Sequence, residues 1–328
     1  MITALSRTNF RRLASFARLQ KTGPAGLTGL TTALLVFAMT ATAGAQQSFK
    51  TAAEAADALL NAVRSGDQKD ILVVLGPDGA GIASSGDGVE DAATRKRFTN
   101  AYDAKHQINI EGDQKAVLVI GDQDWPLPIP IVRKDDSWRF DTAAGREEIL
   151  DRRIGRNELA AIQACLAYMD AQNDYANLAR ASTGTAAYAQ RIVSLPGKKD
   201  GLYWPTEPGE AASPLGELVA SATTEGYHLG GGRAPFHGYY YRILTRQGPA
   251  APGGAYDYMA HGKMIGGFAL VAYPAAYRNS GVMTFLVNHD GTVFEKDLGP
   301  HAANIAEHMA SFNPDGTWKK VTVEAPDQ

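Results

Sequence analysis

Seven histidines, one cysteine and dispersed carboxylates are the groups that could do chemistry in this 328-residue chain. His106, His228, His237, His261, His289, His301 and His308 form neither His-x-His nor His-Glu-x-x-His, the spacings that bring two imidazoles onto one strand or helix face. His301 and His308 can share a helix face, but a third ligand is lacking, so two surface histidines are expected and no metal site is assigned. Asp170 and Asp174 stand four apart, where like charges are mildly destabilising unless a cation or arginine intervenes. Without the ligand spacing of a calcium loop, a solvated face is the expectation there. Glu295-Lys296-Asp297 reads as charge protecting a strand edge. The nucleophile elbow Gly-x-Ser-x-Gly is absent, and Ser280, with Tyr277 near it, reads as a turn serine before a strand. Cys165 lies inside a helical pattern and is expected as a buried thiol. Gly230-Gly231-Gly232-Arg233 lacks the Lys-Ser/Thr ending and preceding strand of a phosphate cradle, and reads as a flexible loop. No catalytic residue and no cofactor are assigned.

Aromatic residues are the more suggestive group. Tyr203, Trp204, Tyr239, Tyr240, Tyr241, Tyr256 and Tyr258 fall in one third of the chain. On a strand, Tyr239 and Tyr241 face one way and Tyr240 the other. One set belongs in the core, because tyrosine favours strands. The other could form a platform for sugar, peptidoglycan or a protein. The candidate binding residues are therefore Tyr203, Trp204, Tyr239, Tyr241, Tyr256 and Tyr258.

The compartment follows from the first 45 residues. Arg7, Arg11, Arg12, Arg18 and Lys21 precede an apolar run that ends Ala43-Gly44-Ala45 before Gln46. This is the layout of a cleavable secretory signal; its clean apolar core, Leu30 to Ala41, is short for a membrane span. Removing residues 1–45 takes five basic and no acidic side chains, leaving 27 basic against 35 acidic and a net charge of −8. That balance argues against nucleic acid or an anionic membrane surface as partner. A single cysteine excludes an intramolecular disulfide framework. A periplasmic or secreted protein is expected, with no stable membrane span once the signal is removed.

Two modules must position these residues. In the first, residues 49–145, Thr51 and Glu54 form a capping box, Gly66 stops that helix, and a second helix runs from Asp67 to Leu75 before Gly76-Pro77. Residues 78–88 read as loop, and Val89 to Lys105 as a third helix. Strands follow at Gln107–Glu111 and Lys115–Ile120, then an irregular stretch with Pro126, Pro128 and Pro130, then a turn at Asp135-Asp136. In the second module, residues 146–322, a helical stretch over 143–178 carries an apolar stripe of Leu159, Ile162, Leu166 and Met169. Its first part, Arg146 to Arg153, is charged and expected to be solvated, and Gly155 is a candidate break. Ser213-Pro214 reads as a helix cap and Gly226 as its stop. Strands are expected over 238–246, 266–273, 281–288 and 292–296, and a last helix over 300–312. The fold class is α+β: N-terminal helices with a small antiparallel sheet, then a long helix packed on a C-terminal antiparallel sheet.

Several segments carry family resemblances. Trp138-Arg139-Phe140-Asp141 after the N-terminal helices resembles the last strands of the cone-shaped folds related to nuclear transport factor two. The segments Gly201–Pro205, Pro235–Tyr258 and Gly266–Gly299, with SFKTAAEAADALLNAVRSGD and WRFDTAAGREEILDRRIGRNELAAI, are similar to a bacterial exported family known as domain of unknown function 2950. That resemblance spans almost the whole mature chain and implies export but no particular activity. The long helix followed by YRNSGVMTFLVNHDGTV is also similar to the globular domain of pilins and pseudopilins, although the prepilin motif is missing. The sequence-level expectation is a non-catalytic envelope component that binds an envelope protein or glycan. The alternatives are an envelope hydrolase with a site between the modules, near Tyr203-Trp204 and the glycine-rich loop, or a pseudopilin-like secretion component.

Overall fold

The computed structural model describes residues 46–228 and 234–322. The signal segment, residues 1–45, and the glycine-rich Gly230-Gly231-Gly232-Arg233 lie outside the described residues.

Local capping chemistry sets the first helices. The Thr51 hydroxyl accepts from the Glu54 amide at 3.1 Å and opens α1 (Ala52–Ser65), and Gly66, at φ 73°, ends it in the left-handed region. Asp67 caps α2 (Gln68–Leu75) through the Lys69 amide. The loop expected over 78–88 is corrected in its first half. A 3₁₀ turn, Pro77–Gly79, leads into the single turn of α3 (Ala80–Ala83). Its support is tertiary: the carbonyls of Gly81 and Ile82 accept from Arg153, some 70 residues away, at 2.6 and 2.8 Å. Asp87 then caps α4 (Gly88–Ala104).

Strands β1 (His106–Glu111) and β2 (Lys115–Ile120) form an antiparallel hairpin, and β3 (Trp125–Pro126) makes a short pair with β2 before the prolines interrupt it. Asp135 and Asp136, both at positive φ, make the tight turn between β4 (Ile131–Lys134) and β5 (Ser137–Phe140). The sheet order is β1-β2-β4-β5 with β3 beside β2. Helix α1 packs on β4 and β5, α4 on β1 and β2, and Leu59, Ile71, Leu75, Leu118, Ile131 and Phe140 share the core between them.

Helix α5 (Thr142–Thr183) runs unbroken for 42 residues, so Gly155 is not a break. A glycine inside a helix costs about 1 kcal/mol, a small sum beside packing at both ends of so long an element. The expected stripe also shifts. Leu159 is 66% exposed, and the buried line runs Asn157, Ala161, Cys165, Tyr168, Gln172, Ala176. Polar members are tolerated because they are satisfied: Gln172 exchanges two 2.8 Å bonds with the Ala189 backbone, and Asn157 donates to the Ser280 carbonyl at 2.9 Å. The charged first part is not all solvated either, since Arg153 is 5% exposed. Gly145 lets the helix start lie against the sheet; a Cβ there would sit 2.4 Å from the Pro128 carbonyl oxygen.

Helix α6 (Gly216–Glu225) ends at Gly226 as expected, but Ser213 does not cap it. The preceding residue is Leu215, no side chain bonds the helix start, and the Ser213 hydroxyl is buried without a partner. Strands β6 (Tyr239–Leu244), β7 (Arg246–Gln247), β8 (Tyr256–Asp257), β9 (Met259–Ala260), β10 (Lys263–Met264), β11 (Ala269–Pro274), β12 (Met283–Asn288) and β13 (Phe294–Asp297) follow, then α7 (Ala302–His308) and β14 (Lys319–Lys320). The larger sheet is antiparallel in the order β14-β13-β12-β11-β6, and β7–β8 and β9–β10 are two short ribbons. Helix α5 packs on β11 and β12 and α7 on β11, so all six residues of β11 are buried. Helix α7 is shorter than the segment 300–312: it begins after a 3₁₀ turn and stops at His308, burying Ala302 and Ala306 while Ile305 stays exposed.

The architecture is α+β with antiparallel sheets. It holds two hydrophobic cores, one ending at Phe140 with Ile149 against it, the other starting at Ala161. Helix α5 belongs to both. Among the described residues, no helix is long and apolar enough to cross a membrane.

Candidate functional site

A cleft opens beside the N-terminal core. Helices α1, α2 and α4, the sheet and the start of α5 surround this space of about 1130 Å³. Its apolar lining includes Leu59, Val63, Ile71, Phe98, Ile120, Trp125, Leu127 and Ile149. Helix periodicity brings charge to the same space. Glu90, Thr94, Arg97 and Ala101 repeat at four, three and four residues along α4, and Ile149, Arg152, Arg156 and Ala160 at three, four and four along α5; all eight line the cleft.

These arginines are not equivalent. Arg97 donates to Glu90 at 2.6 Å and to the Thr94 hydroxyl at 2.7 Å. Arg152 donates to Glu148 at 2.7 Å and lies 5.5 Å over the Trp125 ring. Arg153 donates to the Gly81 and Ile82 carbonyls and, at 2.6 Å, to the Asn279 side-chain oxygen. Burial pushes its pKa below the usual arginine value. Arg156 makes no hydrogen bond or ion pair with the described residues. Burial, then the neighbouring Arg97, pushes its pKa down, with Arg152 adding to the effect and Glu90 opposing it.

The C-terminal half of the chain supplies the rim. Asp87 is almost fully buried and uses both oxygens. One accepts from the Val89 and Glu90 amides at the start of α4; the other accepts from the Tyr227 hydroxyl and the Gly238 amide, each at 2.9 Å. The same carboxylate thus caps α4 and fastens the turn before β6. Burial, then Asp87, pushes the Tyr227 hydroxyl's pKa up, so it stays a donor. The fastened turn holds His237 at φ 49° and aims it into the cleft lining. Its Nε2 lies 3.3 Å from the Glu225 carboxylate. Asn279 completes the join by donating to the Ser84 carbonyl at 2.9 Å.

The residues singled out from sequence lie elsewhere. Of the six aromatics, Tyr256 alone is exposed, at 39%. Tyr239 is buried with its hydroxyl on the Met283 carbonyl, and Tyr258 is buried with its hydroxyl on Gln247. Trp204 is buried with its ring 6.5 Å from that of Tyr175, while Tyr203 and Tyr241 are half-buried. The geometry joins Tyr256 and Tyr258 edge to face at 5.5 Å, beside His289, but does not gather the six on one exposed face. Ser280 is a turn serine whose hydroxyl bonds both ways with the Ala276 backbone, and Tyr277 donates to Asp297. Cys165 is a buried thiol with its pKa pushed up to about 12 by burial. No group of three or more His, Cys, Asp or Glu side chains that could hold a metal is found among the described residues.

Sequence reasoning missed the arginine wall because Arg152 and Arg153 sit in a charged run that reads as solvent-facing, and Arg156, beyond that run, stood out by no motif. The available signal was their spacing with Ile149 and Ala160, which puts guanidinium and apolar groups on one face.

Residues 46–321 match the family described as a protein of unknown function, DUF2950. The chain belongs to that family. The match takes in both hydrophobic cores, which therefore fall within a single family unit. No curated relative and no solved structure matches this member of the family, and the likenesses to pilins and to cone-shaped folds gain no support from that side.

Proposed function

We propose that this protein is exported to the cell envelope and works there by binding, with the cleft of the N-terminal module as its site. The observation that carries this reading is the cleft itself. Protein interiors normally close-pack, whereas about 1130 Å³ stays open beside this core, with apolar side chains and charged groups from α4 and α5 both in its lining. The export half rests on Arg7 to Ala45 of the sequence, and N-terminal analysis of the mature protein should find Gln46 first.

The binding half is tested with the mature chain and a series of neutral primary alcohols, followed by displacement of a neutral fluorescent probe. Affinity should rise about fourfold per added methylene until the cleft is full, the equivalent of about 0.8 kcal/mol each. Ala160→Trp, which fills the cleft from α5, should abolish uptake. Absence of saturable uptake, or equal uptake by the Ala160→Trp variant, would overturn the assignment.

A hydrolase using the same cleft is the second reading, favoured by the His237–Glu225 pair on the rim. A carboxylate 3.3 Å from one ring nitrogen orients an imidazole whose other nitrogen is available for general base work. Turnover of ester or phosphoester substrates that disappears in His237→Ala, with alcohol binding retained, would establish it over binding alone.

A further inference from the structure

We propose that the cleft selects an amphiphile with an anionic head, which Arg156 receives at the wall shared by α4 and α5. The proposal rests on the cleft being the binding site and adds the chemistry of what enters it.

The argument starts from pairing. Five guanidinium groups line the cleft, those of Arg95, Arg97, Arg152, Arg153 and Arg156, against the three carboxylates of Glu90, Asp91 and Asp122. Glu90 is engaged by Arg97, and Asp91 accepts from the Ser85 amide and the Ser84 hydroxyl. Arg152 has Glu148, and Arg153 is spent on backbone and Asn279. Arg95 and Arg156 are left with no hydrogen-bond or ion-pair partner among the described residues, and Arg156 is the one of the two crowded by other guanidinium groups. Its nearest charged neighbours include Arg97 and Arg152, which repel it. A guanidinium beside two others over an apolar surface is an unfavourable arrangement in the empty protein, and an oxyanion relieves it. The planar fork of arginine matches a carboxylate or phosphate in two parallel bonds.

The rest of the cleft fixes the other end of the ligand. The side chains of Phe98, Ile120, Leu127 and Ile149 offer no hydrogen-bonding partner to a polar body, so a small free anion would leave most of the space unused. The ligand class is an oxyanion head on an apolar body. A fatty-acid carboxylate and a lipid phosphate share that chemistry.

The experiment compares dodecanol, dodecanoate, dodecyl phosphate and inorganic phosphate on the mature chain by calorimetry. The two anionic amphiphiles should bind about tenfold more tightly than the alcohol, and the advantage should shrink as salt rises from low to physiological strength and beyond. Whichever of the two binds more tightly identifies the source of the head. Arg156→Gln should remove most of the advantage by weakening the anions far more than dodecanol, and Arg156→Lys should restore part of it. Arg156 makes no hydrogen bond or ion pair within the described residues, so both variants should melt like the parent. Equal affinity for alcohol and anions in the parent would overturn the anionic preference while leaving the cleft assignment standing, as would an equal loss of both in Arg156→Gln. Inorganic phosphate binding as tightly as dodecyl phosphate would overturn the amphiphile. Failure of dodecanol and the anions together would remove the cleft assignment and this proposal with it.

Discussion

The two hydrophobic cores solve the same packing problem with different side chains. The C-terminal core fills its space with rings: Tyr239, Tyr258, Tyr273, Phe268, Phe285 and Phe312 are each less than 2% exposed, and neighbouring rings meet at tilted or edge-to-face angles. The N-terminal core uses mainly leucine, isoleucine and alanine from α1, α2 and the sheet, with fewer rings, and a cleft opens beside it. A dense cluster of tyrosines therefore marks the part of this chain built for rigidity. The larger of two clefts among the described residues, about 1130 Å³ against about 800 Å³, lies beside the less aromatic core.

The contrast can be broken or sharpened by truncation. Phe285→Ala removes a fully buried ring from the filled core and should cost about 3–5 kcal/mol, because little around it can collapse. Phe98→Ala removes a ring that already borders open space and should cost about 1 kcal/mol, since the truncated atoms were only partly packed. Chemical denaturation of both variants reads the difference, and equal costs would mean that the N-terminal core is no looser than the C-terminal one.

Arg153→Ala comes next, at about 2–3 kcal/mol. It strips donors from the Gly81 and Ile82 carbonyls and from Asn279, and so loosens α3 and the join between the two cores. Hydrogen exchange should show the added opening in residues 80–85 and 278–281 rather than in β11 or β12. Protection lost uniformly across the chain would contradict a local join.

The smallest effect concerns pH. Burial raises the Cys165 pKa to about 12, whereas an exposed thiol in the unfolded chain ionises at an ordinary value of about 8.5. The folded state therefore holds a proton that the unfolded state releases. Its contribution to stability is complete below the unfolded pKa and is lost as pH rises toward 12. Stability should fall more steeply over this alkaline range in the parent than in Cys165→Ala. The folded thiol should also resist alkylation at pH 8 and react once the protein is unfolded.

How much of this was legible depended on where each residue finds its partners. Thr51, Gly66, Asp67 and Gly226 act within their own turn of chain, and their roles follow from sequence. The hairpin strands and the burial of Cys165 follow from alternation and helical spacing. The short helix α3 was not legible, because its carbonyls are held by an arginine about 70 residues further along. Gly155 and Leu159 misled for a related reason: which side of α5 is buried, and whether it breaks, is decided by the sheets it crosses. Ser213-Pro214 has the composition of a helix start, yet the chain enters α6 two residues later. Arginines that serve a cleft look the same in sequence as arginines that serve only solvent.

One consequence of α5 concerns heredity rather than energy. A helix of 42 residues is about 63 Å long and turns 100° with each residue. Between Gly145, which must meet Pro128, and Asn157, which must meet Ser280, the chain is a ruler with marks at both ends. Gaining or losing a single residue in that interval would swing everything downstream by more than a quarter turn and carry Arg153 and Arg156 away from their places. Related chains should accordingly vary in length in surface loops such as 195–212, and keep the count from 145 to 157 constant.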